Sequence, residues 1–251
     1  IVLPKFRAGD KAKQKKTESG LVYEPLIEGN GALAGAGDVV VYKVAAWREN
    51  GELLFCNELQ NGNKPLCAPF GKLQWPIADE ASKLMKVGSS YRFEASAASS
   101  LGAQIPRDTD PTMALVWEIG IVELKKPIPV PAFAMPDAAK LTKTASGLAY
   151  EVLVQGTGKK PAITDTVTAH YAGWLTNGTL FDDTYSRADA MTRPMRGVIP
   201  GWREGLQLMS EGSIYRFVIP PGLAYGKQGS GATIPPDATL VFQIELIKVG
   251  E

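Results

Sequence analysis

Histidine occurs once in this 251-residue chain, at His170, and cysteine twice, at Cys56 and Cys67. Two thiols cannot make a disulfide scaffold or a four-ligand zinc site, and one imidazole cannot build a histidine-based cluster, so metal catalysis is not expected. Long apolar runs are missing too. Nothing approaches the roughly 18 residues of a membrane-spanning helix, and no charged-then-apolar signal peptide opens the chain. Its first residue is Ile1 rather than Met, which leaves open an export signal removed upstream. Charge of one sign is also lacking: 27 Lys and Arg stand against 26 Asp and Glu. Such a balance gives no field for duplex or membrane-surface binding, so nucleic acid is not an expected partner.

Turn formers, by contrast, are abundant. The 26 Gly and 18 Pro follow no three-residue period, which excludes a collagen-like rod and implies many tight turns between strands. The chain also repeats itself: Ser19-Gly20-Leu21-Val22-Tyr23-Glu24 returns as Ser146-Gly147-Leu148-Ala149-Tyr150-Glu151, and Tyr91-Arg92-Phe93 as Tyr215-Arg216-Phe217. Leu115-Val116-Trp117 matches Leu240-Val241-Phe242 in the same order, so two homologous domains are expected. The spacing is far too long for a solenoid. A basic tail over 1–16 precedes a first domain over 17–126. The tail reads as a solvated segment or short helix, with an anionic docking patch as the alternative. Closely spaced prolines from Pro127 to Pro136 suggest a semi-rigid linker over 127–143, and a second domain fills 144–251.

In the second half, Thr166 to Tyr171 alternates like a strand with one face on a core, and Asn177-Gly178 marks a hairpin in which both residues tolerate positive φ. Trp202, Leu206 and Met209 share one helical face after Pro200-Gly201, with Gly212 as a candidate cap. Ile214 to Ile219 and Leu240 to Val249 read as strands. The expected fold is α+β: in each domain an antiparallel sheet wrapped on one short helix.

His170-Tyr171-Ala172-Gly173, Phe181-Asp182, Val198-Ile199-Pro200-Gly201-Trp202, Leu223-Ala224-Tyr225-Gly226 and Ile234 to Phe242 together resemble the FKBP-type peptidyl-prolyl isomerases. The resemblance covers essentially all of 144–251. Its Ser-Gly-Leu-x-Tyr-Glu and Val-Ile-Pro-Gly-Trp forms look most like bacterial envelope members, which implies a periplasmic or envelope location, with the cytoplasm as the alternative. The resemblance implies Trp202 as a floor under a proline ring, with Tyr171, Phe181, Val198, Ile199, Ile234 and Phe242 as apolar walls. It implies catalytic roles for Asp182, Tyr171, Tyr225 and Trp202, with Arg187 orienting Asp182. Proline-containing unfolded or flexible polypeptides become the expected partners, with macrolide ligands of the kind family members bind, and no cofactor. Met191 stands where an aromatic is common, Arg193 where Phe often lies, and Ser230 and Thr233 replace bulkier residues, which softens the rim. His170 reads as a half-exposed strand residue.

Laid on the same frame, the first half puts Val44 opposite Tyr171 and, after a one-residue insertion, Cys56 opposite Asp182, Ala78 opposite Trp202 and Leu101 opposite Tyr225. Phe55 and Trp117 keep apolar character, and Trp75 as the floor is the alternative alignment. The first half is therefore expected to keep the fold without the chemistry, as a substrate-holding, dimerising or spacer module. A chaperone gripping unfolded segments with both halves, or a scaffold recruited through the basic tail, are the competing classes. Cys56 and Cys67 could close a disulfide if their Cβ atoms come within about 4 Å.

Overall fold

The computed structural model describes residues 3–250 apart from 58, 60, 61, 108 and 138. The chain divides into two compact units, Ile1–Pro127 and Ile128–Glu251. In the first, β1 (Lys15–Lys16), β2 (Val22–Ile27), β6 (Ser90–Ser96), β7 (Ala114–Lys125), β3 (Val39–Arg48) and β4 (Leu53–Cys56) lie side by side in that order, and β5 (Leu66–Pro69) also pairs with β3. The second unit repeats this order. There β8 (Thr142–Lys143), β9 (Ala149–Val154), β13 (Ile214–Ile219), β14 (Leu240–Val249), β10 (Thr166–Leu175) and β11 (Leu180–Asp183) follow one another, with β12 (Met191–Pro194) on β10. Every pairing is antiparallel, and each sheet packs on a helix that begins at a proline, α1 (Pro76–Ser82) and α3 (Pro200–Leu208). The first unit adds a short α2 (Ala97–Leu101). This is the α+β architecture expected from the repeat.

Proline at the first helical position supplies a preset φ where no N–H bond is needed, and thereby starts both helices at equivalent places. On α3, Trp202 and Leu206 turn inward, and the missing side chain of Gly205 lets Phe217 close in. A Cβ there would meet its ring at 2.6 Å. The helix ends in an extended Met209 rather than at Gly212. Gly212, at φ +84°, instead forms the turn in which Ser213 N–H donates to the Ser210 carbonyl at 3.0 Å. At the β10–β11 hairpin only Gly178 takes positive φ, +88°. Asn177 stays on the ordinary side and accepts the Thr179 N–H on Oδ1, 3.0 Å.

The segment over 127–143 is not a spacer. Residues 128–143 belong to the second unit, where Ile128 N–H donates to the Tyr185 carbonyl at 3.0 Å and Phe133 packs on Trp174 at 5.9 Å between ring centres. The tail does the same in the first unit: Phe6 packs on Trp47 at 6.1 Å. Asp10 and Asp137 each fold a turn through their Oδ1, taking the N–H of Ala12 and Ala139. The strands Lys15–Lys16 and Thr142–Lys143 then pair with β2 and β9. Thus Pro4, Phe6, Asp10 and Lys16 are the counterparts of Pro131, Phe133, Asp137 and Lys143, and each unit begins with a strap across its own sheet.

No disulfide joins Cys56 and Cys67. Cys56 lies opposite Ala45 and Cys67 opposite Val41 on β3. Four strand residues span about 13 Å, well beyond the reach of a disulfide. Part of the turn-rich loop between them, at 58, 60 and 61, lies outside the described residues.

Candidate functional site

Strand alternation sends Tyr171 and Gly173 of β10 to the face that α3 covers. Trp202 lies there with 5% of its surface exposed, met edge-on by Tyr171 at 5.0 Å and by Phe242 at 5.3 Å. Phe181 meets Phe242 edge-on at 5.5 Å and completes an aromatic box. Gly173 is what lets these rings converge: a Cβ at that position would lie 2.6 Å from Phe242 and 2.7 Å from Phe181. The resulting cleft is about 180 Å³ and is closed further by Val198 and Ile199, from the turn before α3, and by Met191 of β12.

One polar group faces this apolar floor. The Asp182 carboxylate accepts a hydrogen bond from the Tyr171 hydroxyl on one oxygen and from Arg187 Nη1 on the other, at 2.9 Å. Burial, and then the bond to Asp182, push the Tyr171 phenol well above its ordinary range, so it remains a donor at neutral pH. Tyr225 stands at the rim, 38% exposed, and burial followed by the Asp182 charge raises its phenol in the same direction. The cleft therefore offers a hydrophobic slot, one oriented carboxylate and two protonated phenols. No nucleophile activated by a base stands in it.

Of the residues singled out from sequence, Asp182, Tyr171, Tyr225, Trp202, Phe181, Met191, Val198, Ile199 and Phe242 line the cleft, and Arg187 braces it from beside Asp182. Ile234 does not line it. Paired through its backbone with Ser230, at 2.8 and 3.1 Å, it turns inward and is buried in the core. Arg193, expected as a rim substitution, lines the cleft, as does Gly197, to which the sequence reading gave no site role. Alternation along β12 was the available signal, since a residue two places from Met191 must share its face. His170 points to the opposite face from Tyr171, stacks on Tyr185 at 4.9 Å and shares a 2.9 Å hydrogen bond through Nδ1 with Thr184.

The equivalent region of the first unit keeps a cleft, about 320 Å³, but lines it differently, with Phe55, Trp75 and Leu101 among its walls. Ala46 lies opposite both Trp117 and Phe55, as Gly173 lies opposite Phe242 and Asp182. Phe55, not Cys56, therefore occupies the carboxylate's register, and no insertion separates the two halves here. Cys56 falls at the Asp183 register and packs with Ala45, Trp47 and Val116. Ala78 follows Pro76 as Trp202 follows Pro200 and carries no ring, while Trp75, just before the helix, fills the space. Trp75 stacks on Phe55 at 5.0 Å, meets Trp117 at 5.6 Å and is only 4% exposed. It lines that cleft, whose described walls hold no carboxylate and no phenol. Leu101 is buried by α2, whereas Tyr225 stands at a rim.

The FKBP-type peptidyl-prolyl cis-trans isomerase family matches residues 157–247. A probable FKBP-type peptidyl-prolyl cis-trans isomerase FkpA of Neisseria meningitidis is 48% identical over 121 residues, 47% of this chain and 44% of that protein. The FKBP-type 22 kDa peptidyl-prolyl cis-trans isomerase of Escherichia coli is 49% identical over 109 residues, 43% of this chain and 53% of that protein. The crystal structure of FkpA from Escherichia coli shares 43% identity, with a TM-score of 0.43 over 44% of this chain and 52% of that one. The chain spans about half the length of the curated relatives it matches. Among the described residues no helix is long and apolar enough to cross a membrane.

Proposed function

The chain belongs to the FKBP-type peptidyl-prolyl cis-trans isomerase family through residues 157–247, and on that premise we propose that its C-terminal unit isomerises X-Pro bonds in unfolded or flexible polypeptides. Rotation about such a bond crosses a barrier of about 18 to 20 kcal/mol, most of it lost amide resonance. The twisted transition state has less charge separation than the planar amide, so a dry apolar slot favours it. Trp202 would carry the proline ring, with Phe181, Met191, Val198, Ile199 and Phe242 excluding water. Asp182, held by Tyr171 and Arg187, would face the twisting carbonyl, and Tyr225 would donate to a substrate carbonyl. About 4 kcal/mol of differential stabilisation from these contacts gives on the order of a thousandfold acceleration.

The observation that carries this reading is the single braced carboxylate above an aromatic box. It is tested in a protease-free prolyl-peptide assay on the whole chain. Asp182→Ala should lower kcat/KM about ten- to a hundredfold, the worth of one or two hydrogen bonds to a charged group, while circular dichroism stays unchanged. Wild-type turnover in that variant would overturn the role of Asp182. The first unit, whose cleft has no carboxylate or phenol among its described walls, serves as a non-catalytic binding or spacer module, and the same assay on Trp75→Ala should show unchanged turnover. Macrolides that fill the box should compete with peptide. The motif forms shared with envelope members support an envelope location.

A further inference from the structure

Arg193 is the one residue at the cleft whose charge the protein itself does not answer. Asp182 receives both Arg187 and Tyr171. No described carboxylate, however, comes within ion-pair distance of Arg193. Its direction is fixed by β12: Thr192 turns to the other face and bonds the Thr168 hydroxyl at 3.0 Å, so Met191 and Arg193 face the cleft together. The fold does not demand a cation here. In the first unit the same register, opposite Val40 as Arg193 lies opposite Val167, holds the buried Ala68. The half with a braced carboxylate carries the charge, and the half without one carries a methyl group.

A lone guanidinium beside an apolar slot attracts a carboxylate on whatever occupies the slot. We infer that Arg193 is a specificity-determining residue that selects proline-containing chains bearing an acidic residue, Asp or Glu, next to the proline. The inference rests on the isomerase reading above. Because Arg193 is exposed to water, its contribution is that of a surface ion pair, roughly two- to fivefold in kcat/KM, and it weakens as salt rises.

The experiment measures kcat/KM of the full chain for three tetrapeptides differing only in Glu, Leu or Lys before proline, in wild type, Arg193→Gln and Arg193→Glu, at low and high salt. The ratio of the Glu to the Lys peptide cancels any loss of folded enzyme. It should exceed two in the wild type, fall to about one in Arg193→Gln and drop below one in Arg193→Glu. A wild-type ratio of one, or the same ratio in all three proteins, overturns the inference. Should the wild type turn over none of the peptides, the isomerase reading falls by itself. The same ratio taken from binding titrations, followed by tryptophan fluorescence, then still decides the role of Arg193.

Discussion

The two units spend one sheet in opposite ways. In the second, Tyr171 and Phe242 stand edge-on to Trp202, Phe181 stands edge-on to Phe242, and a slot of about 180 Å³ remains. In the first, Trp75 lies flat on Phe55, and both rings line a cleft of about 320 Å³. The second cleft sets a braced carboxylate and two phenols beside its rings, whereas the described walls of the first hold neither group. Both units place an aromatic near the start of the helix. Truncating that aromatic is the strongest way to probe the difference. Trp202→Ala and Trp75→Ala should each destabilise their own unit by about 3 to 5 kcal/mol, read as a shifted denaturant midpoint. Only Trp202→Ala should also remove turnover. Loss of activity in Trp75→Ala with the second unit still folded would break the distinction.

Backbone room is the next difference. Gly173 has rings 2.6 and 2.7 Å from where a Cβ would be, and Ala46 carries that Cβ in the first unit. Gly173→Ala should cost about 1 to 3 kcal/mol by forcing Phe181 and Phe242 apart, and should raise KM as the walls open. The reciprocal Ala46→Gly should cost only about 0.5 to 1 kcal/mol, the entropy of a strand glycine. A Gly173→Ala protein with native stability and KM would show that the rings are not held by this contact.

The sequence made the sheet, the helix and most of the cleft legible, because alternation, Pro200 and the family-like motifs each constrain one element independently. Ile234 was misplaced because the Ser230 bridge that turns it inward is a loop contact with no periodic signature. Cys56 was set against Asp182 by an insertion that the ladder does not contain. Phe55 was the correct partner, hidden because an aromatic replaces a carboxylate there. The straps were missed differently. Pro4, Phe6, Asp10 and Lys16 do recur as Pro131, Phe133, Asp137 and Lys143, but with lysines around one set and prolines around the other, so composition separated what position unites. These straps yield a smaller prediction. Phe133 and Phe6 are half-buried, so Phe133→Ala or Phe6→Ala should cost its own unit about 1 to 2 kcal/mol. A second-unit fragment beginning at 144 should melt below one beginning at 128. Equal melting of the two fragments would return 128–143 to the role of a spacer.

The smallest difference is one of titration. At the register where the second unit carries His170, the first carries Lys43, which donates to Asn63 at 2.7 Å. Burial lowers the His170 pKa below its ordinary 6.5, and the carboxylates of Glu245 and Asp189 offset only part of that. The unfolded chain therefore takes up a proton on this residue at a higher pH than the folded unit does. Stability from neutral His170 is fully present above about pH 6.5 and is lost as pH falls through the folded-state value. Tyr185 stacked on one side and Thr184 bonded to Nδ1 are the contacts that a protonated ring must keep, and partial exposure holds the effect below those of the ring truncations. Between pH 7.5 and 5 the denaturant midpoint of the second unit should fall in wild type. It should fall less in His170→Gln, which retains an acceptor for Thr184 without titrating. An identical pH dependence in the two proteins would assign the loss to other groups and leave His170 and Lys43 equivalent in their units.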